Sequence, residues 1–236
     1  MTKVLFTYKL EDEDTNERAL LLEKQGFKVY YEKEKDFKYK PYMKDVEALI
    51  CYMPFKQLNL EDFPSLRWIQ LTSMGFEQVP VEQVEKGNII VTNNRGGYSI
   101  PMGEWVVLNI LELVKNRKQA YKNQIDKKWL MDFSVGEIYN KKITFIGTGD
   151  IAKESAKRLQ GFGVEIFGVN TNGRSISGFD QCFALDQIDD VLAQSDMVVI
   201  CLPHTDQTHY LFDKVRLKKM KPDAYLINVS RGAIIK

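Results

Sequence analysis

The chain is 236 residues long, room for one large domain or two modest ones. Hydrophobic residues make up 44% of it and charged residues 28%, so it can bury a core, and disorder is excluded as its main state. Lys plus Arg number 33 against 32 Asp plus Glu, a formal charge of +1, which argues against a general nucleic-acid or membrane-surface binder because such proteins carry a basic excess.

The N-terminal MTKVLFTYKLEDED meets acid too soon to supply a signal-peptide apolar region. Over the first 95 residues, short runs rich in Val, Ile, Leu or Tyr at 4–8, 29–31, 48–53, 68–72 and 89–92 are bounded by turn or charge signals, as buried strands are. Between the first two, residues 12–26 read as a helix starting at Asp12, with Ala19, Leu20, Leu21 and Leu22 as its apolar stripe and Gly26 placed for a left-handed cap. Strand–helix–strand alternation implies a parallel sheet covered on both faces.

TNNRGGY at 92–98 is a polar, glycine-containing break and the candidate hinge, so the expected domains are 1–97 and 98–236. After it, Ser99 is placed to cap a long helix over about 101–127, with Pro101 in its first turn. The first half of that helix is apolar nearly all round, and such a helix is buried in its own domain or against a partner subunit. The same stretch, residues 105–114, is the longest apolar run; Asn109 and Glu112 break it, and it falls far short of the roughly 20 residues that span a bilayer. A second α/β unit follows, with strands at 143–146, 164–169, 197–202 and 224–229 and helices at 150–160, 186–194 and about 211–220. Cys51, Cys182 and Cys201 are widely separated without CxxC spacing, which argues against a disulfide framework or a zinc cluster. The expectation is a soluble, reduced, cytoplasmic protein.

The strongest chemical signal is KKITFIGTGDIAKESAKRLQGFGVEIFGVN. A strand runs into Gly147-Thr148-Gly149-Asp150-Ile151-Ala152 and a helix follows at once, the G-x-G-x-x-G/A pattern in its structural context. Gly147 permits the tight turn, Gly149 lets a pyrophosphate approach the backbone, and Ala152 lets the helix pack close to the strand. Phosphates then sit at the helix N-terminus, where free N–H groups and the dipole favour anions. The competing readings are a glycine-rich structural turn and a different nucleotide such as S-adenosylmethionine.

An NAD-type site carries Asp or Glu at the end of the second strand to bond the ribose 2′-hydroxyl. Here that strand ends in Asn170-Thr171-Asn172-Gly173-Arg174, without a carboxylate to repel a 2′-phosphate and with Arg174 placed to pair with one. NADP is therefore favoured over NAD, the alternative being a plain turn with a surface arginine.

Beyond the glycine motif, SLRWIQLTSMGFEQVP, NNRGGYSIPMGEWVVLNIL, SDMVVICLPHTDQTHYLF and KMKPDAYLINVSRGAII occur in an order that resembles the D-isomer-specific 2-hydroxyacid dehydrogenases over essentially the whole chain. The resemblance implies two flavodoxin- or Rossmann-like parallel-sheet domains, the second binding NAD(P), with the active site in the cleft between them. It implies a homodimer built largely on the helix after Ser99, and hydride transfer between nicotinamide and a small 2-hydroxy or 2-keto acid. Arg231 matches the arginine that binds the substrate carboxylate and polarises the keto group. Met74 and Gly75 match the turn whose N–H groups receive that carboxylate, and Met53, Pro54 and Phe55 match the opposing substrate loop. Met102, the glycine-loop residues, Asn170, Thr171 and Arg174 fall in the cofactor set, and Leu202, Pro203, Val229 and Ser230 match the walls of the nicotinamide pocket.

The chain also departs from the family. The acid/base histidine and its glutamate lie beyond the arginine in the family, whereas five residues follow Arg231 here and none is Glu or His. The sequence thus reads as ending before its catalytic dyad. His204 and His209 precede the arginine, and His204 reads as a loop residue flanking the nicotinamide ribose, with a catalytic role as the alternative. CYMPFKQL lacks an arginine at the substrate loop, which disfavours a phosphorylated substrate. The rival function is a dinucleotide-sensing or protein-interaction module without turnover; a methyltransferase-type Rossmann domain is the third.

Overall fold

The computed structural model describes residues 1–8 and 13–236. The chain divides into two compact units, Met1–Arg95 and Gly96–Lys236, so the division falls just before the expected boundary after residue 97.

In the first unit all five expected strands form: β1 (Thr2–Phe6), β2 (Phe27–Tyr31), β3 (Ala48–Cys51), β4 (Trp68–Leu71) and β5 (Ile90–Thr92). They pair in parallel in the order β2-β1-β3-β4-β5. Helix α1 (Glu13–Lys24) connects β1 to β2 and α2 (Val81–Lys86) connects β4 to β5. After α1, Gly26 takes φ +87°, a turn that a side chain would strain. The stripe expected on α1 holds only in part: Ala19 and Leu22 are half-buried, whereas Leu20 and Leu21 are exposed. Four consecutive residues sweep more than one face of a helix, so they cannot all turn inward. Asp12, the expected start, lies outside the described residues.

The other two crossovers of this unit are not α-helices. They are built from 3₁₀ turns at Glu34–Asp36, Pro41–Asp45, Pro54–Lys56 and Leu60–Asp62. Proline fixes φ and removes a donor, which favours a single tight turn over a long helix. These turns still close the core, because Met43, Leu58, Leu60 and Phe63 pack with Leu5, Leu49, Ile69 and Leu71.

The second unit has β6 (Lys142–Ile146), β7 (Glu165–Asn170), β8 (Gln181–Ala184), β9 (Met197–Ile200) and β10 (Tyr225–Asn228), all parallel in the order β10-β9-β6-β7-β8. Residues of β9 alternate between two cores as the pleat requires: Met197 and Val199 face one, Val198 and Ile200 the other. β8 is unanticipated. It is an edge strand with no fully buried residue, so it lacks the apolar run that marks the others.

The expected helix at 101–127 is two: α3 (Ser99–Val114) and α4 (Arg117–Ile125). The break is Asn116, in the left-handed region at φ +46°, with its amide donating to Asp132 Oδ2 at 2.9 Å and Ser134 Oγ at 3.2 Å. Asparagine tolerates that conformation better than most residues. Pro101 is in the first turn as expected, but Ser99 is not the cap: the cap position is Tyr98, and the Ser99 hydroxyl is buried without a hydrogen-bond partner. Within its own unit α3 is buried along one side only. Gly103, Val106, Ile110 and Val114 form its buried stripe, while Trp105, Leu108 and Leu113 are exposed. A Cβ on Gly103 would stand 3.0 Å from the backbone carbon of Glu154, so glycine is what allows α3 to lie this close to α5 (Asp150–Leu159).

The helix expected at 186–194 is α6 (Ile188–Gln194), but that expected at 211–220 shrinks to α7 (Lys214–Leu217). Phe212 is committed to a parallel bridge with Ile235, and Asp213 caps the short helix by accepting from the Arg216 N–H at 2.8 Å. No helix among the described residues is long and apolar enough to cross a membrane.

Candidate functional site

In the second unit the chain leaves β6 toward β7 and β8, then returns to build β9 and β10 on the other side. The order therefore reverses between β6 and β9, and open α/β sheets bind ligands outside the carboxyl ends of their strands at such a point. The glycine loop follows β6, and its two glycines do different work. Gly147 sits at φ +98°, and a Cβ there would come within 2.7 Å of the Cys201 carbonyl oxygen and 3.1 Å of the Leu202 side chain. Gly149 is the N-cap of α5, and a Cβ there would meet no atom within 4 Å. The loop thus packs tightly against the end of β9 on one side and leaves open room at the helix N-terminus on the other. That room suits a pyrophosphate, as do the N–H groups a first helical turn leaves unpaired. Thr148 and Ala152 are buried, and Asp150 and Ile151 are half-buried in the first turn of α5.

The turn after β7 sits on the same edge, tied to the loop by the Gly147 N–H bond to Val169 O at 2.8 Å. Asn170 is buried and its side chain serves the turn: its amide donates to Arg174 O at 2.9 Å and its oxygen accepts from the Asn172 N–H at 3.3 Å. Thr171 and Arg174 are exposed, and the guanidinium lies 3.5 Å from Asn172 Oδ1. Leu202 is half-buried and Pro203 exposed beyond β9, and Met102 is half-buried in the first turn of α3.

Arg231 leaves the carboxyl end of β10 with an exposed side chain. Its backbone is pinned by Asn228, whose amide donates to Arg231 O at 3.0 Å and whose oxygen accepts from Ser230 N at 2.9 Å. Ser230 Oγ and the Val229 N–H both donate to Ile200 O, at 3.0 and 3.2 Å, which seats this loop against the end of β9. His204 and His209 turn toward each other, His204 Nε2 standing 3.0 Å from His209 Nδ1.

In the first unit the two expected substrate segments also leave neighbouring carboxyl ends: Met53, Pro54 and Phe55 after β3, and Met74 and Gly75 after β4. Met53 is exposed, Pro54 is buried, and Phe55, Met74 and Gly75 are half-buried. The Met74 carbonyl accepts from the Asn93 amide at 2.8 Å.

Residues 107–236 match the family model for the D-isomer specific 2-hydroxyacid dehydrogenase, NAD binding domain. The chain belongs to that family. A glyoxylate reductase from Thermofilum pendens is 32% identical over 82% of this chain and 59% of its own length. A D-isomer specific 2-hydroxyacid dehydrogenase family protein from Aeromonas salmonicida subsp. salmonicida is 26% identical, with a TM-score of 0.82 over 100% of this chain and 74% of that one. The D-lactate dehydrogenase from Aquifex aeolicus, solved with NAD and lactic acid, shares the fold at 23% identity and TM-score 0.81 over 100% of this chain and 71% of its own. The chain spans about three fifths of the length of the curated relatives it matches.

Three side chains that position the loops after β3, β4 and β10 were not anticipated. Glu34 accepts from the backbone N–H groups of Tyr52 and Met53 at 2.6 and 2.9 Å. Gln78 donates to Tyr52 O at 3.0 Å and Ser73 Oγ at 2.9 Å, bracing the two segments against each other. Asn228 does the corresponding work for Arg231. Its signal was present, because Asn before a turn commonly bonds backbone two residues on. Glu34 and Gln78 act across sequence gaps that no local pattern reveals.

Proposed function

We propose that this chain carries the cofactor- and substrate-holding residues of an oxidoreductase that interconverts a small 2-hydroxy acid and its 2-keto acid with NADPH in preference to NADH. The single observation that carries the reading is the vacant room at the N-terminus of α5 beside Gly149, flanked on the same strand edge by a ribose turn without a carboxylate. When bound there, the nicotinamide ring supplies the hydride or receives it. Gly147, Thr148, Gly149, Asp150 and Ile151 seat the pyrophosphate, and Leu202, Pro203, Val229 and Ser230 hold the ring, with Met102 completing the set. Arg231 grips the substrate carboxylate with a planar fork that suits bidentate pairing and draws charge from the keto oxygen. In the unit that would serve as substrate domain, Met74 and Gly75 offer backbone N–H groups to the same class of ligand, and Met53, Pro54 and Phe55 shape its side-chain space.

Asn170 supports the NADP preference because its side chain is already engaged by the 170–174 turn and offers no carboxylate to a ribose diol. Arg174 then meets the 2′-phosphate. Titrating the intrinsic fluorescence with NADPH, NADH and S-adenosylmethionine tests the reading. NADPH should bind more tightly than NADH, S-adenosylmethionine should not bind, and Arg174→Ala should erase about 1–3 kcal/mol of the difference. Equal affinities in the parent would remove the NADP preference, and no binding of either dinucleotide would remove the cofactor site itself.

A further inference from the structure

His204 and His209 have no part in the function proposed above, and their ring nitrogens face each other at hydrogen-bond distance, with one N–H between them that a metal ion would displace. We infer that they form a site for a divalent transition cation of the copper or nickel type, bound through His204 Nε2 and His209 Nδ1 with water in the remaining positions. The two nitrogens stand 3.0 Å apart. A cation about 2.1 Å from each would see them at about 90°, the cis angle of tetragonal Cu(II) or Ni(II), whereas tetrahedral zinc needs about 3.4 Å between them. Neutral imidazole suits these metals, and magnesium or calcium would choose oxygen ligands instead.

The pair is held in place rather than met by chance. Thr208 Oγ1 donates to Pro203 O at 2.7 Å and accepts from Thr205 N at 2.8 Å, and the His209 N–H donates to Thr205 O at 2.8 Å. The His209 ring lies 3.9 Å from that of Tyr210, whose N–H bonds Ala233 O at 2.8 Å. Both imidazoles reach solvent, so an ion has a path in. His204 directly follows Pro203, and on the cofactor reading above, a cation here crowds the nicotinamide wall and opposes NADPH.

Calorimetry with Ni²⁺ on untagged protein, and electron paramagnetic resonance with Cu²⁺, test the site. One ion should bind per chain, the Cu²⁺ spectrum should carry two equatorial imidazole nitrogens, and His204→Gln or His209→Gln should each weaken binding by about tenfold or more through loss of the chelate. Equal binding by parent and double variant, or a one-nitrogen spectrum, would mean an adventitious ion only and overturn the site. Saturating Ni²⁺ should raise the apparent Kd for NADPH in the parent and not in the double variant; unchanged NADPH affinity in the Ni²⁺-loaded parent would overturn the antagonism. If NADPH binds neither protein, the cofactor reading has failed, and the metal data are judged by the spectra alone.

Discussion

Gly147 and Gly149 stand two residues apart and answer to different constraints. At Gly147 a side chain meets both a positive φ and the Cys201 carbonyl oxygen at 2.7 Å. At Gly149 it meets nothing of the protein within 4 Å. Gly147→Ala should therefore cost about 1–3 kcal/mol of unfolding free energy. Gly149→Val should stay within about 1 kcal/mol of the parent by urea denaturation, yet weaken NADPH binding at least about tenfold, since on the function proposed above it fills the space a phosphate would take. A parallel loss of stability and affinity in Gly149→Val would contradict the division of labour. The motif already assigned Gly147 to the turn and Gly149 to the approach of a phosphate; the built neighbourhood adds what a side chain would meet at each, a carbonyl oxygen at one and open space at the other. Arg231 was expected from NVSRG, and the Asn228 clamp on its backbone carries a local signal as well, an asparagine just before a turn.

Among the elements, the second sheet is tied at its amino edge by Asp196, just before β9. Its carboxylate accepts from the Lys142 N–H at 2.8 Å and from Lys221 Nζ at 2.9 Å. Partial burial alone would push this carboxyl up, but the Lys142 N–H and the Lys221 ammonium outweigh it and hold it below the usual carboxylate range. A carboxyl depressed in the folded state contributes stability above its unfolded pKa of about 3.9 and loses it as pH falls through the lower folded value. Asp196→Asn should cost about 1–3 kcal/mol at pH 7 in urea denaturation, and the gap to the parent should narrow below about pH 3. A gap independent of pH would exclude the charged interaction. Among the described residues, sequence periodicity found nine of the ten strands and missed edge strand β8, whose residues are too little buried to leave an apolar run. It joined α3 to α4 because nothing in KNRK marks Asn116 as left-handed; that conformation follows from Asp132 and Ser134, which lie 16 and 18 residues on.

For the molecule as a whole, the homodimer that the family resemblance implies is a proposal, and the exposed apolar side chains of the second unit are where it would be tested. Trp105 is 55% exposed and Leu108 45%, and the same unit leaves Trp129 97% and Phe133 89% exposed. Large apolar side chains left this exposed are what an interface between copies would cover. Sedimentation at micromolar concentration should give a homodimer, and Trp105→Asp with Leu108→Asp should give a monomer of unchanged circular dichroism. A parent that sediments as monomer would leave this surface without an occupant.

Alternating short apolar runs and polar segments were enough, by themselves, to determine two parallel α/β units, because burial on both faces of a strand writes itself into consecutive residues. The strand–turn–helix geometry of the G-x-G-x-x-A loop was equally legible, since a tight turn demands particular residue types at particular places. Tertiary structure alone decided what those places are next to: the end of β9 against Gly147, the one side of α3 that its own unit buries, the 3₁₀ crossovers of the first unit, and the meeting of His204 with His209. Each depends on groups brought together by the closing of a turn or the packing of an element, and distance in space of that kind leaves no period in the chain.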